Sequence, residues 1–169
     1  MRIALAAAVA AIAIAAPAFA QDAAPFTGAR IGATLGWDTA HGHDGFTYGG
    51  SIGYDKAIAP KITLGAEATF EDSTAKGDGI RASRDLAISG RLGYVLTPKL
   101  LGFAKVGYDT TRFDIAGVGH DNLEGVRYGA GLEYAVTPRT YISTEYRRTE
   151  YEGNFGGRDA VIAGVGVRF

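Results

Sequence analysis

The sequence predicts an all-β fold, specifically an eight-stranded antiparallel up-and-down transmembrane β-barrel. The first observation behind this prediction is residues 161–169, which alternate between an apolar face ending at Phe169 and a mostly small face ending at Arg168. A period of two is typical of a strand whose two faces meet different environments. The second is a proline-containing turn that recurs along the chain. The third is a glycine count of 25 in 169 residues, which disfavours long helices.

Three short turns divide the chain into hairpins. Thr97-Pro98-Lys99 recurs as Thr137-Pro138-Arg139, and Pro60-Lys61 is a looser copy. Proline cannot donate to a strand ladder, so it is expected in the turns. The intervals between these prolines leave room for two strands and one longer loop each. We therefore predict strands at 27–37, 46–56, 61–72, 84–96, 99–112, 123–136, 139–151 and 158–169, with longer connections at 38–45, 73–83, 113–122 and 152–157.

One face of each predicted strand is apolar and its central part carries no charge, as a lipid-facing surface requires. Aromatic residues cluster toward both ends of the strands, which predicts two membrane-interface girdles. A soluble β-sandwich or a lipocalin-like barrel would also alternate, with its apolar face inside, but explains neither girdle. The predicted interface aromatics are Trp37, Tyr48, Tyr54, Phe70, Tyr94, Tyr108, Tyr128, Tyr134, Tyr146 and Phe169.

The opposite face carries the charges, six of each sign. Because an eight-stranded barrel is only just wide enough for its own side chains, we expect these charges to pair and fill the interior. Glu67 is predicted to lie with Arg91 and Lys105, and Glu145 with Arg127 and Arg147. The full inward set is Arg30, Asp55, Glu67, Glu71, Arg91, Lys105, Asp109, Arg127, Glu133, Glu145, Arg147 and Arg168. The alternative is a solute or ion pathway.

The first twenty residues have the features of an export signal. Arg2 precedes an apolar run over residues 3–16, and Ala18-Phe19-Ala20 is an A-x-A cleavage pattern. An uncleaved anchor helix is the alternative, although the run is short for a membrane span. The predicted organisation is a cleaved signal peptide at 1–20, a short segment at 21–26 and the barrel at 27–169. The sequence has no Cys and no basic block, so neither a disulfide nor nucleic-acid binding is expected.

With these features the chain resembles small outer-membrane barrels of the OmpA/OmpX type, and especially the compact opacity-like or "porin family" proteins of alphaproteobacteria. The specific part of the resemblance is the ending Val161 to Phe169, which is similar to the family's C-terminal assembly signal. The resemblance implies a monomer in a Gram-negative outer membrane. Its implied partners are lipids including lipopolysaccharide, the barrel-assembly machinery and an unidentified extracellular partner of the loops.

The resemblance implies a structural or surface role, such as envelope integrity, adhesion or antigenicity, and no enzymatic activity or cofactor. A narrow porin is the first alternative. A lipid A-modifying enzyme is the second, for which a loop histidine with Asp72-Ser73 would be the candidate site. His41 and His43 are weak candidates for Zn²⁺ or Cu²⁺ ligands, because nothing fixes a third ligand.

Overall fold

A computed structural model describes residues 26–40, 43–74, 76–77, 80–115, 119–151 and 156–169. The predicted signal peptide and residues 41 and 42 lie outside the described residues. The described chain forms eight long strands and one strand of two residues. They are β1 (Gly28–Ala40), β2 (His43–Ala59), β3 (Ile62–Ser73), β4 (Lys76–Gly77), β5 (Ile80–Thr97), β6 (Leu100–Ile115), β7 (Gly119–Ala135), β8 (Thr140–Tyr151) and β9 (Gly157–Arg168).

The eight long strands form one closed antiparallel barrel. Successive long strands pair with one another, and β1 also pairs with β9. β3 pairs directly with β5, and the short β4 lies between them only in sequence. The predicted fold class is therefore confirmed. No helix among the described residues is long and apolar enough to cross a membrane.

The two ends of the barrel differ. At one end, here called the turn end, residues 60–61, 98–99 and 136–139 connect the strands, as the prolines predict. At the other, here called the loop end, strands continue into segments that we predicted to be loops. Ala40 pairs with His43, and Ile115 pairs with Gly119. The hairpins extend because antiparallel pairing satisfies the backbone N–H and C=O groups of these segments.

The barrel has its polar side chains inside and its apolar side chains outside. Outward residues such as Ile88 and Val165 are 54% and 52% exposed, whereas Arg91 on an inward face is 2% exposed. The turn end is an exception, because its interior is apolar. Phe26, Leu101 and Ala135 are buried there against Val95. Phe26, which precedes the predicted barrel boundary, thus lies inside the barrel.

Candidate functional site in the barrel interior

The period of two places every predicted inward charge inside the barrel, and small residues make room for them. A Cβ added to Gly53 would lie 2.9 Å from the guanidinium of Arg30, and one added to Gly129 would lie 3.1 Å from Oε1 of Glu145. Glycine on the inward face therefore leaves space into which long charged side chains reach. The result is a set of ion pairs that runs along most of the interior.

Nearest the turn end, Asp55 forms ion pairs with three arginines. Its Oδ2 accepts from Arg30 Nε at 2.8 Å, from Arg91 Nη1 at 2.8 Å and from Arg168 Nη1 at 3.0 Å. Glu133 accepts from the second nitrogens of Arg91 and Arg168, both at 2.7 Å. Two carboxylates thus hold three cations on three different strands.

Two aromatic rings lie beneath these arginines. The Arg91 guanidinium lies 4.1 Å from the centroid of Phe103, and that of Arg168 lies 5.7 Å from the centroid of Tyr141. Cation–π contacts of this kind are attractive and strengthen when the site is desolvated. Both rings were absent from our predicted set, although their positions in the alternation point inward.

The middle of the interior contains the predicted pair of Glu67 with Lys105 but not the predicted association of Glu67 with Arg91. Glu67 accepts from Arg30 and from Lys105 Nζ, the latter at 2.6 Å, and it does not pair with Arg91. Lys105 also pairs with Glu145. Arg91 and Lys105 are directly opposite in register, as predicted. Like charges at such positions repel, and the two side chains have separate carboxylate partners, Arg91 at the turn-end level and Lys105 in the middle.

The second predicted group is also rearranged. Arg147 on β8 donates two hydrogen bonds to Glu71 on β3, while Glu145 pairs with Lys105. The strand order places β3 and β8 on opposite walls of the barrel. The Glu71–Arg147 pair therefore crosses the lumen.

Arg127 belongs to a further group toward the loop end. It donates to Asp85 at 2.6 Å, to Asp109 and to the Thr149 hydroxyl at 3.0 Å. Arg158 pairs with Asp85 at 3.1 Å, which is a second bridge between opposite walls, from β9 to β5.

Three members of this network were missed by the sequence analysis. Asp38, Asp85 and Arg158 are 2%, 5% and 7% exposed, and Arg158 Nε donates to Asp38 Oδ2 at 2.7 Å. Asp38 fell in a predicted loop, whereas Asp85 and Arg158 lie at the start of predicted strands. Continuing the period-two alternation to the strand ends would have found all three, because each has inward parity.

These side chains leave little free space. A cavity of about 30 Å³ lies among middle-level residues that include Arg30, Glu67, Lys105 and Glu145. This is room for about one or two water molecules. Such a volume is far below the roughly 300 Å³ at which small-molecule sites begin.

The predicted interface aromatics all lie on the outer surface. Trp37, Tyr48, Phe70, Tyr94, Tyr108, Tyr128, Tyr134, Tyr146 and Phe169 are exposed, and Tyr54 is half-buried. Three tyrosine hydroxyls toward the loop end donate to carboxylates on the next strand. Tyr108 donates to Glu124 at 2.7 Å, Tyr128 to Glu150 at 2.9 Å and Tyr146 to Asp159 at 2.6 Å.

The candidate metal and catalytic residues do not form an assembled site within the described residues. His41 and the side chain of His43 lie outside the described part of the chain. No group of three metal-ligating side chains occurs among the residues that the structure describes. Ser73 is buried, and its hydroxyl donates to Asp38 at 3.2 Å, whereas Asp72 occupies the opposite face of β3 and is half-buried. The Asp72-Ser73 pair is therefore split between two faces.

A closed barrel with an apolar exterior, aromatic girdles and a charged interior defines the class of small transmembrane β-barrels. The model of the outer membrane protein beta-barrel domain family matches residues 5–169, and the chain belongs to this family. The family places the protein in the outer membrane of a Gram-negative bacterium. No curated protein matches the chain.

Solved structures with the same fold include barrels of different kinds. The N-terminal β-barrel domain of Pseudomonas aeruginosa OprF is 18% identical, with a TM-score of 0.58 over 83% of this chain and 97% of that one. The attachment invasion locus protein Ail of Yersinia pestis is 14% identical, with a TM-score of 0.60 over 85% and 97%. The outer membrane enzyme PagL is 16% identical, with a TM-score of 0.55 over 83% and 99%. At these identities the similarity establishes the fold alone.

Proposed function

We propose that the protein is a structural surface barrel whose interior is closed to solutes and whose loop end carries its external role. The ion-pair network supports this proposal most strongly. Its pairs Glu71–Arg147 and Asp85–Arg158 join opposite walls, so each lies across any path along the barrel axis. A selective pore usually shows one dominant sign of charge, whereas both signs are paired here.

We also propose, from the sequence, how the protein reaches the outer membrane and how it is oriented there. Residues 1–20 direct export and are removed after Ala20, and Phe169 contributes to recognition by the barrel-assembly machinery. The turn end faces the periplasm, and the loop end faces outward. There the protein contacts lipopolysaccharide and an extracellular partner in an envelope, adhesion or antigenic role. We propose that it acts without enzymatic activity, as a monomer.

Planar-bilayer conductance of the refolded protein tests the closed interior. Adjacent arginines on β8 provide a matched pair of variants, because Arg147 is inward and paired with Glu71, whereas Arg148 is outward and partly exposed. We expect no steady open channel in the wild type or in Arg148→Ala. In Arg147→Ala, which removes one bridge across the lumen, we expect brief current steps.

A large, stable, ohmic conductance in the wild type would overturn the proposal and favour the narrow-porin alternative. Retention of the barrel is checked in every variant by gel migration without boiling. A closed barrel has no free strand edges, and the folded form is expected to migrate differently from the boiled form.

A further inference from the structure

Among the described residues of the outer surface, the exposed unpaired cations lie at the turn end, whereas Arg148 toward the loop end is paired with acidic residues. Toward the turn end, Lys56, Lys61, Lys99 and Arg139 are exposed, and their side chains form no ion pair within the described part of the chain. Toward the loop end, the exposed acidic side chains include Asp44, Glu124 and Glu150. The turn end is therefore a cationic rim, defined here as these four residues.

Three of the rim cations occupy equivalent positions. Each directly follows a turn proline, and its backbone carbonyl accepts a hydrogen bond from a residue at the end of a nearby strand. The accepting carbonyls belong to Lys61, Lys99 and Arg139, at 2.8, 2.9 and 2.7 Å from the donor nitrogens. The chain thus places a cation at the same level in each of the three turns.

The residues beside these cations mark the level of a membrane surface. Leu96 and Val136, two positions before the turn prolines, are 51% and 49% exposed, and Tyr94 and Tyr134 precede them on the same outward face. Exposed aliphatic side chains favour contact with lipid, and tyrosines favour the headgroup level. Lys99 and Arg139 therefore lie where lipid headgroups begin.

A groove separates the second turn from the third. Its volume is about 560 Å³, and its lining includes Lys99 on one side, Val136 and Arg139 on the other, and Phe169. Arg168 also lines it but is already paired with Asp55 and Glu133. No acidic side chain occurs among the described residues that line the groove, so Lys99 and Arg139 give its two sides an excess of positive charge.

We propose that the cationic rim binds anionic phospholipid headgroups of the inner leaflet, and that one headgroup occupies the groove between Lys99 and Arg139. A phosphate is complementary in charge to Lys99 and Arg139 on the two sides of the groove. The adjoining side chains of Val136 and Phe169 are apolar and can contact the first part of an acyl chain. The inference rests on the proposed orientation, in which the turn end faces the periplasm. Basic side chains next to a membrane are attracted to anionic lipids in this way.

Native mass spectrometry tests the proposal on protein released from nanodiscs of phosphatidylcholine with a minor fraction of phosphatidylglycerol of the same chains. The wild type should retain phosphatidylglycerol over phosphatidylcholine by about tenfold relative to the disc composition. Lys99→Gln combined with Arg139→Gln should reduce this preference to about twofold or less. Arg148→Gln, which removes an exposed cation at the loop end, should leave it unchanged.

Equal retention by the wild type and the double variant would overturn the proposal, and so would an equal loss in Arg148→Gln. Soluble peptidoglycan fragments are added in a third arm, and displacement of phosphatidylglycerol by them would identify an anionic glycan as the ligand instead. Conductance is measured separately on the same samples. A conducting protein that keeps its lipid preference contradicts the closed interior alone, whereas a silent protein without the preference contradicts this inference alone.

Discussion

The inward and outward faces of the same strands have opposite chemistry at adjacent positions. On β5, Leu86, Ile88 and Leu92 are 44–54% exposed, while the neighbouring Asp85 and Arg91 are 5% and 2% exposed. A one-residue change of register would exchange these two environments for the whole strand. The alternation therefore specifies both which side chains face lipid and which fill the interior.

The two faces also differ in how they stabilise the barrel. The outward face needs only to be apolar, because lipid is a fluid partner without fixed positions. The inward face needs matched partners, since desolvating each charge is costly and the cost is recovered only through good ion-pair and hydrogen-bond geometry. Substitutions inside should therefore depend on the particular partner, whereas substitutions outside should depend on polarity and depth.

The largest effect is expected for Asp55→Ala. This change leaves Arg30, Arg91 and Arg168 without a shared carboxylate in a buried site. Removing one partner of a buried pair typically costs about 3–5 kcal/mol, and we expect the free energy of unfolding to fall by at least about 3 kcal/mol. Urea titration in lipid vesicles, followed by the fluorescence of the single tryptophan Trp37, measures it. Asp55→Asn should lose less, since it keeps the hydrogen-bonding shape. An equal loss in both variants would contradict the charge-pairing explanation.

The next effect comes from placing a charge on the outward face. Val165 is 52% exposed and lies on the outward face of β9, midway between the outward Val161 and Phe169. An arginine at mid-depth in the bilayer costs about 2–4 kcal/mol, so Val165→Arg should lower the free energy of unfolding in vesicles by that amount. Val165→Leu is the control and should be nearly neutral. Equal stability of the two variants would mean that this face does not meet lipid.

Two glycines, one on each face, test the difference between the packed interior and the lipid-facing surface by steric effects alone. A Cβ at inward Gly53 would lie 2.8 Å from the Ala66 carbonyl oxygen and 2.9 Å from Arg30, whereas one at outward Gly90 has its nearest neighbour at 3.8 Å. We expect Gly53→Ala to cost about 1–3 kcal/mol, as overpacked sites do. Gly90→Ala should be tolerated. The same vesicle titration measures both, and a larger loss at Gly90 would contradict the assignment of the packed face.

The smallest effect is expected for Arg148→Gln. Arg148 pairs with Glu150 at 3.3 Å and with Asp159 at 3.2 Å on the outer surface toward the loop end, and its side chain is 40% exposed. Solvent screens such pairs, and many contribute nothing measurable. Its urea midpoint should match the wild type within error. A clear decrease would show that this outer cluster is structurally important.

The alternation in the sequence was sufficient to predict the fold and the inward orientation of the twelve charges that we assigned to the interior. Period-two parity is a local property, and it identified Glu67, Lys105 and Arg147 as inward without any knowledge of their neighbours. We did not continue the alternation to the strand ends, so Asp38 was assigned to a loop although it lies within β1. Parity made no prediction for Phe26, which lies before the alternation begins and fills the turn end.

The sequence predicted the pair of Glu67 with Lys105 but not the other partners of these charges. Glu67 pairs with Arg30 and Lys105 instead of Arg91, and Arg147 pairs with Glu71 across the lumen. Partner choice depends on the height of each side chain along the barrel and on which wall it faces, and both follow from the closure of β1 on β9 and of β3 on β5. Closure is a long-range property that no local pattern contains.

In this structure the inward charges are held by one another across the lumen. A double-mutant cycle on Glu71→Gln and Arg147→Met is the decisive test of this coupling, because Arg147 donates two hydrogen bonds to Glu71. The control cycle pairs Glu71→Gln with Arg148→Met on the outer face. We predict a coupling free energy of at least about 1 kcal/mol for Glu71 with Arg147 and none for Glu71 with Arg148. Equal coupling in the two cycles would contradict the claim.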